Sequence, residues 1–236
     1  MQTIVFDVKG SYGHFRKPYA PVSPVTYPFP PPPSVLGLIG AICGYGKEDF
    51  HQIIGWEKTK IAATLRSPVR LFRAAVNLLN TDDGTDKHFI PRGDTYHMQI
   101  PFEFLRMPSF RLYVTGLSKR VESDLLKHLR TGTTAYTPCL GLANCIADTA
   151  YVGEFAARNI DSDKPVSCAS VIPWNDRIVV KYDEGRHFQR FRIPAVMDNK
   201  RMVHRYQEVV LAEDGGPLEV KGVNMYEVGS ETIAFL

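Results

Sequence analysis

The segment from residue 14 to residue 34 combines charged, aromatic and hydroxyl side chains in a proline-rich loop. Cationic side chains neutralise phosphates, aromatic rings stack on unpaired bases, and hydroxyls bond to a sugar–phosphate backbone. This combination favours a flexible polyanion, above all single-stranded RNA, because its bases are splayed and its backbone is charged. The candidate contacts in the loop are His14, Phe15, Arg16, Lys17, Ser23, Thr26 and Tyr27. The alternative is that the aromatic residues only anchor the loop to the protein.

A glycine-containing apolar helix is predicted directly after this loop, over residues 35–43. Ser34 is a favourable N-cap, and with the first amides of the helix it would form an anion site. Gly37 exposes backbone on one helix face, which suggests close approach of a ligand or of another element. Gly141, in the stretch TPCLGLANC, allows backbone amides to approach a ligand, although a simple turn explains it nearly as well.

An insertion at about residues 79–107 is predicted to project as a hairpin. Its polar residues suit insertion between bases or contact with a nucleic-acid backbone. The candidates are Arg92, Thr95, Tyr96 and Gln99. The alternative, with equal weight, is an arm that docks on another protein, because residues 100, 102, 104 and 105 are apolar.

The stretch HFQRFRIP lies in the most basic part of the chain, where residues 186–205 hold six Lys or Arg and one acid. In a strand, Arg186, Arg190 and Arg192 share one face because side chains alternate. Arg190 and Arg192 are therefore predicted to contact phosphates. An acidic partner protein is the alternative.

Sequence signatures of catalysis are weak. The chain has no P-loop, no GxSxG and no HExxH motif, and its seven His show no metal-ligand spacing. We therefore expect no metal, no cofactor and no catalytic residue. The alternative is a metal-independent endoribonuclease that uses Lys87 and His88, with Tyr45 nearby. Because Lys87 and His88 adjoin a Gly–Asp turn, an exposed loop is the simpler interpretation.

The composition is that of a globular protein: 236 residues, 44% hydrophobic, with a net charge of +3. No apolar run approaches the roughly 20 residues of a membrane helix, and the first residues do not follow the plan of a signal peptide. The four Cys form no CxxC pair, which indicates reduced thiols. We expect a cytoplasmic protein that has no contact with a membrane.

Periodicity predicts an α+β fold. A strand over residues 3–9, helices over 35–43 and 47–54, and strands over 60–65, 69–79, 96–103 and 110–115 precede a helix over 119–129 and a strand over 146–155. The order β-α-β-β-α-β is that of a ferredoxin-like (RRM-like) domain, predicted for residues 1–156. Shorter strands and turns predict a small, mostly β C-terminal domain over residues 157–236.

Four stretches resemble a known protein family: FDVKGSYGHFRKP, TYPFPPPPSVLGLIGAICG, QIPFEFLRMPSFRLYV and YTPCLGLANCIADTAYVGEF. They are similar to the fifth Cas family of type I CRISPR systems, and within it to the subtype I-B (Hmari-like) branch. The resemblance covers residue 1 to about residue 155. Over the last 80 or so residues, the resemblance is limited to the general pattern of short strands and turns.

The resemblance implies an RNA-binding fold of the RAMP superfamily with a β-hairpin thumb, in a subunit of the Cascade surveillance complex. Such subunits hold the 5′ handle of the crRNA and cap the backbone filament in antiviral defence. They contact a backbone subunit and the large PAM-recognising subunit, and target DNA only indirectly, since base pairing by the guide reads the target. The family includes a branch, subtype I-C, that cleaves precursor crRNA with Tyr, Lys and His. The motifs here resemble the branch that does not cleave.

Overall fold

The computed structural model describes residues 1–20, 23–79, 97–160 and 164–236. The chain forms a mixed α/β structure with mostly antiparallel sheets and few helices. Within the described residues the helices are α1 (Pro32–Cys43), α2 (Phe50–Ile54) and α3 (Lys119–Thr131). The strands of the first 156 residues are β1 (Gln2–Gly10), β2 (Tyr12–Gly13), β3 (Phe15–Arg16), β4 (Thr26–Tyr27), β5 (Lys60–Leu65), β6 (Leu71–Leu79), β7 (His97–Arg106), β8 (Ser109–Thr115) and β9 (Ala147–Ala156). The remaining strands are β10 (Arg158–Ile160), β11 (Val166–Cys168), β12 (Ile172–Pro173), β13 (Val179–Lys181), β14 (Phe188–Met197), β15 (Val203–Ala212), β16 (Leu218–Lys221), β17 (Met225–Val228) and β18 (Glu231–Ile233).

A four-stranded sheet with the order β5-β8-β1-β9 forms the centre of the molecule, and all of its pairings are antiparallel. β1 is buried on both faces because both faces of the sheet are covered. Phe6 belongs to the same apolar cluster as Ile39 of α1 and Leu125 of α3. Its neighbour Val5 points the opposite way and belongs to a cluster with Ile233 of β18.

The helix α1 begins earlier than its sequence pattern predicts. It starts at Pro32, so that prolines occupy the first two helical positions and Pro31 is the N-cap. Proline is tolerated there because the first N–H groups of a helix have no intrahelical partner. The prediction that Ser34 caps the helix is therefore wrong. The helix ends at Gly44, whose φ of +82° is left-handed and suits glycine.

The helix α3 follows its local signals closely. The Ser118 side chain accepts a hydrogen bond from the Val121 amide, and Gly132 ends the helix with a φ of +64°. Val121, Leu125 and Leu129 are buried, as the helical spacing of apolar residues predicts. The predicted helix over residues 119–129 is confirmed.

β6 and β7 pair in register from Leu71↔Leu105 to Leu79↔His97, forming an antiparallel hairpin. The hairpin thus includes residues that precede the predicted insertion of 79–107. β2 adds to the free side of β7, and Tyr12 lies opposite Arg106. Since β2 follows β1 directly, this pairing ties the base of the hairpin to the central sheet.

The C-terminal strands form three further three-stranded sheets. Within them, β14 and β15 make the long hairpin that matters most for the site, with Phe188 opposite Ala212 and Met197 opposite Val203. Ile193 and Val209 of this hairpin belong to the largest apolar cluster, together with Phe6 and Ile39. The division of the chain at residue 157 stays a prediction.

Among the residues that the structure describes, there is no helix whose length and apolar character would let it cross a membrane.

Candidate functional site

A groove of about 640 Å³ lies between the N-terminal loop, α1, the start of α2 and the tip of the β14–β15 hairpin. Cys139 and Gly141 close one end. Its other lining residues are Phe15, Arg16, Tyr27, Pro31, Pro33, Ser34, Gly37, Leu38, Ala41, Lys47, Glu48, Phe50, His51, Pro194, Met197, Asn199, Lys200 and Arg201. We call this site the groove below.

Cationic side chains dominate the charge around the groove. Arg16, Lys47, Lys200 and Arg201 line it, against a single carboxylate, Glu48, among the described lining residues. All four cations are exposed to solvent and come from three separate segments of the chain. Field lines from like charges around a concavity reinforce each other, so this arrangement favours an anionic ligand.

The surface between these cations is largely apolar. Leu38 and Ala41 of α1 and Met197 of β14 contribute to it. Phe50 and His51 also line the groove, and their ring centroids lie 3.9 Å apart. His51 is only 5% exposed, and burial lowers its pKa, so the imidazole is neutral near pH 7. Apolar side chains between cations are compatible with contact to the faces of unpaired bases.

Two aromatic rings of the N-terminal loop, those of Phe15 and Tyr27, are part of the protein core, whereas Tyr19 is exposed. Phe15 is 4% exposed and Tyr27 is 1% exposed. The Tyr27 ring stacks on Phe191 at 5.7 Å, and its hydroxyl donates to the Arg192 carbonyl at 3.0 Å. Neither ring offers a free face to a base. The predicted stacking role of Phe15 and Tyr27 is therefore wrong, and anchoring of the loop, the alternative, is correct.

His14 is also a core residue. It is 1% exposed, and its Nδ1 donates to the Glu103 carbonyl oxygen at 2.7 Å. Burial lowers the pKa of His14, so its imidazole is neutral and carries no charge for a phosphate. The prediction that His14 contacts phosphates is wrong for this reason.

Lys17 and Thr26 hold the loop in place. The Lys17 ammonium lies 5.6 Å from the centroid of the Tyr27 ring and 5.5 Å from that of Phe191. Thr26 is buried, and its hydroxyl accepts from the Phe15 amide at 2.8 Å. Thr26 is thus structural, whereas Arg16 is exposed and lines the groove.

Ser34 and Gly37 lie on the wall of the groove, as their prediction requires, but the predicted anion site is wrong. Pro32 and Pro33 have no N–H, and the amides of Ser34 and Val35 both donate to the Pro31 carbonyl. The amides of this first turn are therefore occupied. Next to Gly37 the space is open, because a Cβ built there would meet no atom within 4 Å.

Gly141 is required by a close approach between two segments of the protein. Its φ is +91°, and a Cβ at this position would lie 1.9 Å from the His14 carbonyl oxygen. The backbone at Gly141 also forms part of the groove wall. Glycine is thus needed at this position because the loop backbone at His14 packs directly against it, and any contact with a ligand is additional.

Arg190 and Arg192 lie outside the groove, on the exposed face of β14. Arg190 lies 4.3 Å above the Trp174 ring and pairs with Glu208 at 2.5 Å. The Arg192 guanidinium lies 4.2 Å above the Tyr206 ring. Neither arginine lines the groove, although the Arg192 carbonyl oxygen accepts the hydrogen bond from Tyr27 of the loop.

The other predicted contacts are dispersed or lie outside the described residues. Ser23 and Gln99 are exposed and do not line the groove. Arg92, Thr95 and Tyr96 fall outside the described residues, as do Lys87 and His88 of the alternative catalytic site.

Lys47 was not predicted as a contact, whereas Lys200 and Arg201 fall in the basic stretch over residues 186–205, where Arg201 was predicted only to extend the charge of the strand. Lys200 and Arg201 lie in the turn between β14 and β15, where the sequence reads DNKRM. That turn carries a local signal, since Asp and Asn favour turns, but nothing local shows that it faces α1. Lys47 follows Gly46 and carries no comparable signal.

Within the described part of the chain, no three His, Cys, Asp or Glu residues come close enough to hold a metal ion. Tyr45 donates its hydroxyl to the Asp124 carboxylate at 2.7 Å. Burial and this carboxylate raise the pKa of Tyr45, so its phenol stays protonated near pH 7.

Comparisons with known proteins agree with the resemblance seen in the sequence. A family profile described as CRISPR-associated protein (Cas_Cas5) matches residues 3–210. No curated protein matches the chain. A CRISPR protein from Archaeoglobus fulgidus has a similar solved structure, with 16% identity, coverage of 100% of this chain and 99% of the other, and a TM-score of 0.56.

Two further similar structures come from assemblies. One is a chain of a CRISPR RNA-guided surveillance complex, with 15% identity, 91% coverage of each chain and a TM-score of 0.54. The other belongs to a type III-B Cmr-beta complex bound to cognate target RNA, with 10% identity, coverage of 91% and 86%, and a TM-score of 0.52. At these identities the likeness shows a shared fold. Together with the profile match over nearly the whole chain, it establishes that this chain belongs to the Cas5 family of CRISPR-associated proteins.

Proposed function

We propose that this chain is a non-catalytic, RNA-binding subunit of a type I CRISPR effector complex, and that its groove holds the 5′ handle of the crRNA. The observation that carries the proposal is the set of four exposed cationic side chains around a largely apolar concavity. They are Arg16, Lys47, Lys200 and Arg201. A single-stranded RNA presents phosphates to the cations and base faces to the apolar surface. Similarity to chains of RNA-guided complexes supports this choice of ligand.

Membership in a complex follows from the same comparison. In this proposal the chain caps the backbone filament beside the large PAM-recognising subunit, acts in the cytoplasm in antiviral defence, and meets target DNA only indirectly. Partners for the subunit are a Cascade backbone subunit and the large subunit. The subtype I-B branch is part of the proposal and rests on the sequence motifs alone.

We infer that the central sheet and its two longer helices correspond to the ferredoxin-like unit of RAMP proteins. The strand order β5-β8-β1-β9 and the placement of α1 and α3 after β1 and β8 support this correspondence. In this proposal the β6–β7 hairpin is the base of the thumb.

The groove is tested by removing its cations. The triple variant Lys47→Ala, Lys200→Ala, Arg201→Ala should bind repeat-derived RNA more weakly, because each phosphate without a cationic partner reduces affinity. The slope of log affinity against log salt should fall by about 0.7 for each phosphate that is no longer neutralised. A matched triple variant, Lys119→Ala, Lys127→Ala, Lys221→Ala, removes the same charge from exposed positions outside the groove. Equally weakened binding in the two triples would refute the groove as the binding site.

The absence of catalysis is tested separately. Purified protein incubated with repeat RNA in EDTA should leave the RNA intact, since we propose that a separate enzyme processes it. Discrete cleavage that disappears in His88→Ala would establish the metal-independent endoribonuclease instead. Retention of RNA with no cleavage would support the binding role.

A further inference from the structure

An acid lies among the cations of the hairpin tip. Asp198 directly precedes the turn residues Asn199, Lys200 and Arg201, all of which line the groove. In a site that attracts a polyanion, a carboxylate at this position opposes binding by simple electrostatics. Its hydrogen bonds show a different use.

One oxygen of Asp198 organises the backbone of the turn. Oδ1 accepts hydrogen bonds from the Lys200 amide and from the Met202 amide, each at 2.9 Å. The main chain of the same residue closes the turn, because the Asp198 amide donates to the Met202 carbonyl and the Arg201 amide donates to the Asp198 carbonyl. A side-chain oxygen that accepts amides two and four residues ahead fixes a turn in one conformation.

That conformation is unusual at Arg201. Its φ is +61°, in the left-handed region that residues other than glycine adopt uncommonly. The bonds made by Asp198 on either side of Arg201 hold the backbone there. In this conformation Lys200 and Arg201, both exposed, both line the groove.

The second oxygen of Asp198 connects the turn to the segment that follows α2. Oδ2 lies 2.8 Å from Nε2 of His204, and the His204 ring packs against Trp56 with centroids 5.2 Å apart and the rings tilted by 34°. Trp56 follows α2, whose residues Phe50 and His51 line the groove. The hydrogen bond with His204 also lowers the pKa of Asp198, which keeps it ionised at neutral pH.

We propose that Asp198 is a positioning residue of the groove: it folds the turn over residues 198–202 and joins it to Trp56 through His204, so that Lys200 and Arg201 point at the bound RNA. This inference rests on the proposed function for its ligand. The hydrogen bonds of Asp198 themselves do not depend on that function.

Simple electrostatics and positioning predict opposite signs, so binding distinguishes them. The probe is a fluorescein-labelled oligouridylate of roughly 12 nucleotides, titrated with the full chain at several salt concentrations. Asp198→Ala should weaken binding about as much as the double variant Lys200→Ala, Arg201→Ala, with a decrease of about 1.4 in the salt slope. The conservative Asp198→Asn keeps an oxygen for both amides and should bind within about twofold of the wild-type protein.

Glu48 supplies the matched control, because it is the one carboxylate among the described lining residues and is exposed. Glu48→Gln should tighten binding, since it removes a negative charge without altering the turn. If Asp198→Ala tightens binding as Glu48→Gln does, the positioning role is refuted. Added to the Lys200→Ala, Arg201→Ala double variant, Asp198→Ala should have no further effect; a further decrease in affinity would show that it acts by another route.

A second measurement needs no RNA. Hydrogen exchange at the Lys200 and Met202 amides should accelerate in Asp198→Ala and stay near the wild-type rate in Asp198→Asn. Unchanged exchange at both amides in Asp198→Ala would refute the role of Asp198 in the turn. If the wild-type protein fails to bind the oligouridylate, the proposed function fails, and the exchange result still decides the inference.

Discussion

The loop over residues 14–27 and the turn over residues 198–201 both contribute to the groove, but they contribute in opposite ways. The loop has the richer set of aromatic and basic residues, yet it buries Phe15 and Tyr27 and leaves Arg16 at the surface. The turn has no aromatic residue, and it presents both Lys200 and Arg201 to the groove. The difference shows that residue type predicts a ligand-binding surface only when the burial of each side chain is also known.

The physical reason lies in how each segment is held. Within its described residues the loop pairs β3 with β4, and the rings of Phe15 and Tyr27 pack into the core and fix it there. The turn is fixed by the carboxylate of Asp198 and needs no apolar anchor within itself. A segment held by polar contacts keeps its long cationic side chains available for a ligand.

The largest expected effect tests the loop. Tyr27→Ala should lower the free energy of unfolding by about 3–5 kcal/mol, because it empties a core position beside Phe191. Arg201→Ala, the matched change in the turn, should stay within about 0.5 kcal/mol of the wild-type protein. Urea denaturation measures both. A small effect of Tyr27→Ala would mean that the ring is available to a ligand after all.

The second effect concerns the crossing of the loop and the Gly141 segment. Gly141→Ala should cost about 3 kcal/mol, because a Cβ there overlaps the His14 carbonyl and the φ of +91° is strained for alanine. The control is Gly37→Ala, a helical position with open space, which should gain roughly 0.5–1 kcal/mol. A lower unfolding temperature for Gly141→Ala and a higher one for Gly37→Ala would support the close approach. Equal stability would contradict it.

The smallest effect is on pH dependence, and it involves His14 of the loop and His51 of α2. Burial lowers the pKa of His14 in the loop and of His51 in α2 below the usual 6.5. The unfolded chain therefore binds more protons than the folded one as pH falls through 6.5, and stability decreases by at most about 1.4 kcal/mol per pH unit for each histidine.

His51→Phe is the variant that separates the two histidines. It keeps a ring against Phe50 and removes one titrating group, so the fall in stability between pH 7.5 and 5.5 should become shallower. Urea midpoints measured across that range provide the slope. A slope equal to that of the wild-type protein would mean that His51 is not protonated on unfolding in this range.

Local signals in the sequence predicted local structure well. The helix α3 follows from the Ser118 cap, the apolar spacing and Gly132, all within 15 residues. The role of Tyr27 does not, because its hydroxyl bonds to a carbonyl 165 residues away in the chain. The groove is assembled from such distant pairings, so its full set of cations was not visible in the sequence. The family, by contrast, could be recognised from the sequence, because its motifs are local stretches that need no knowledge of distant pairings.

The prolines that begin α1 have a consequence for how this chain can select an anionic ligand. A helix whose leading amides are absent or already bonded offers little fixed backbone attraction to an anion at that end. Selectivity for an anionic ligand must then come from exposed side chains. Single substitutions can replace these side chains without altering the backbone. If the proposed function holds, a change in the bound RNA would be matched by side-chain substitutions and would need no change in the backbone of α1.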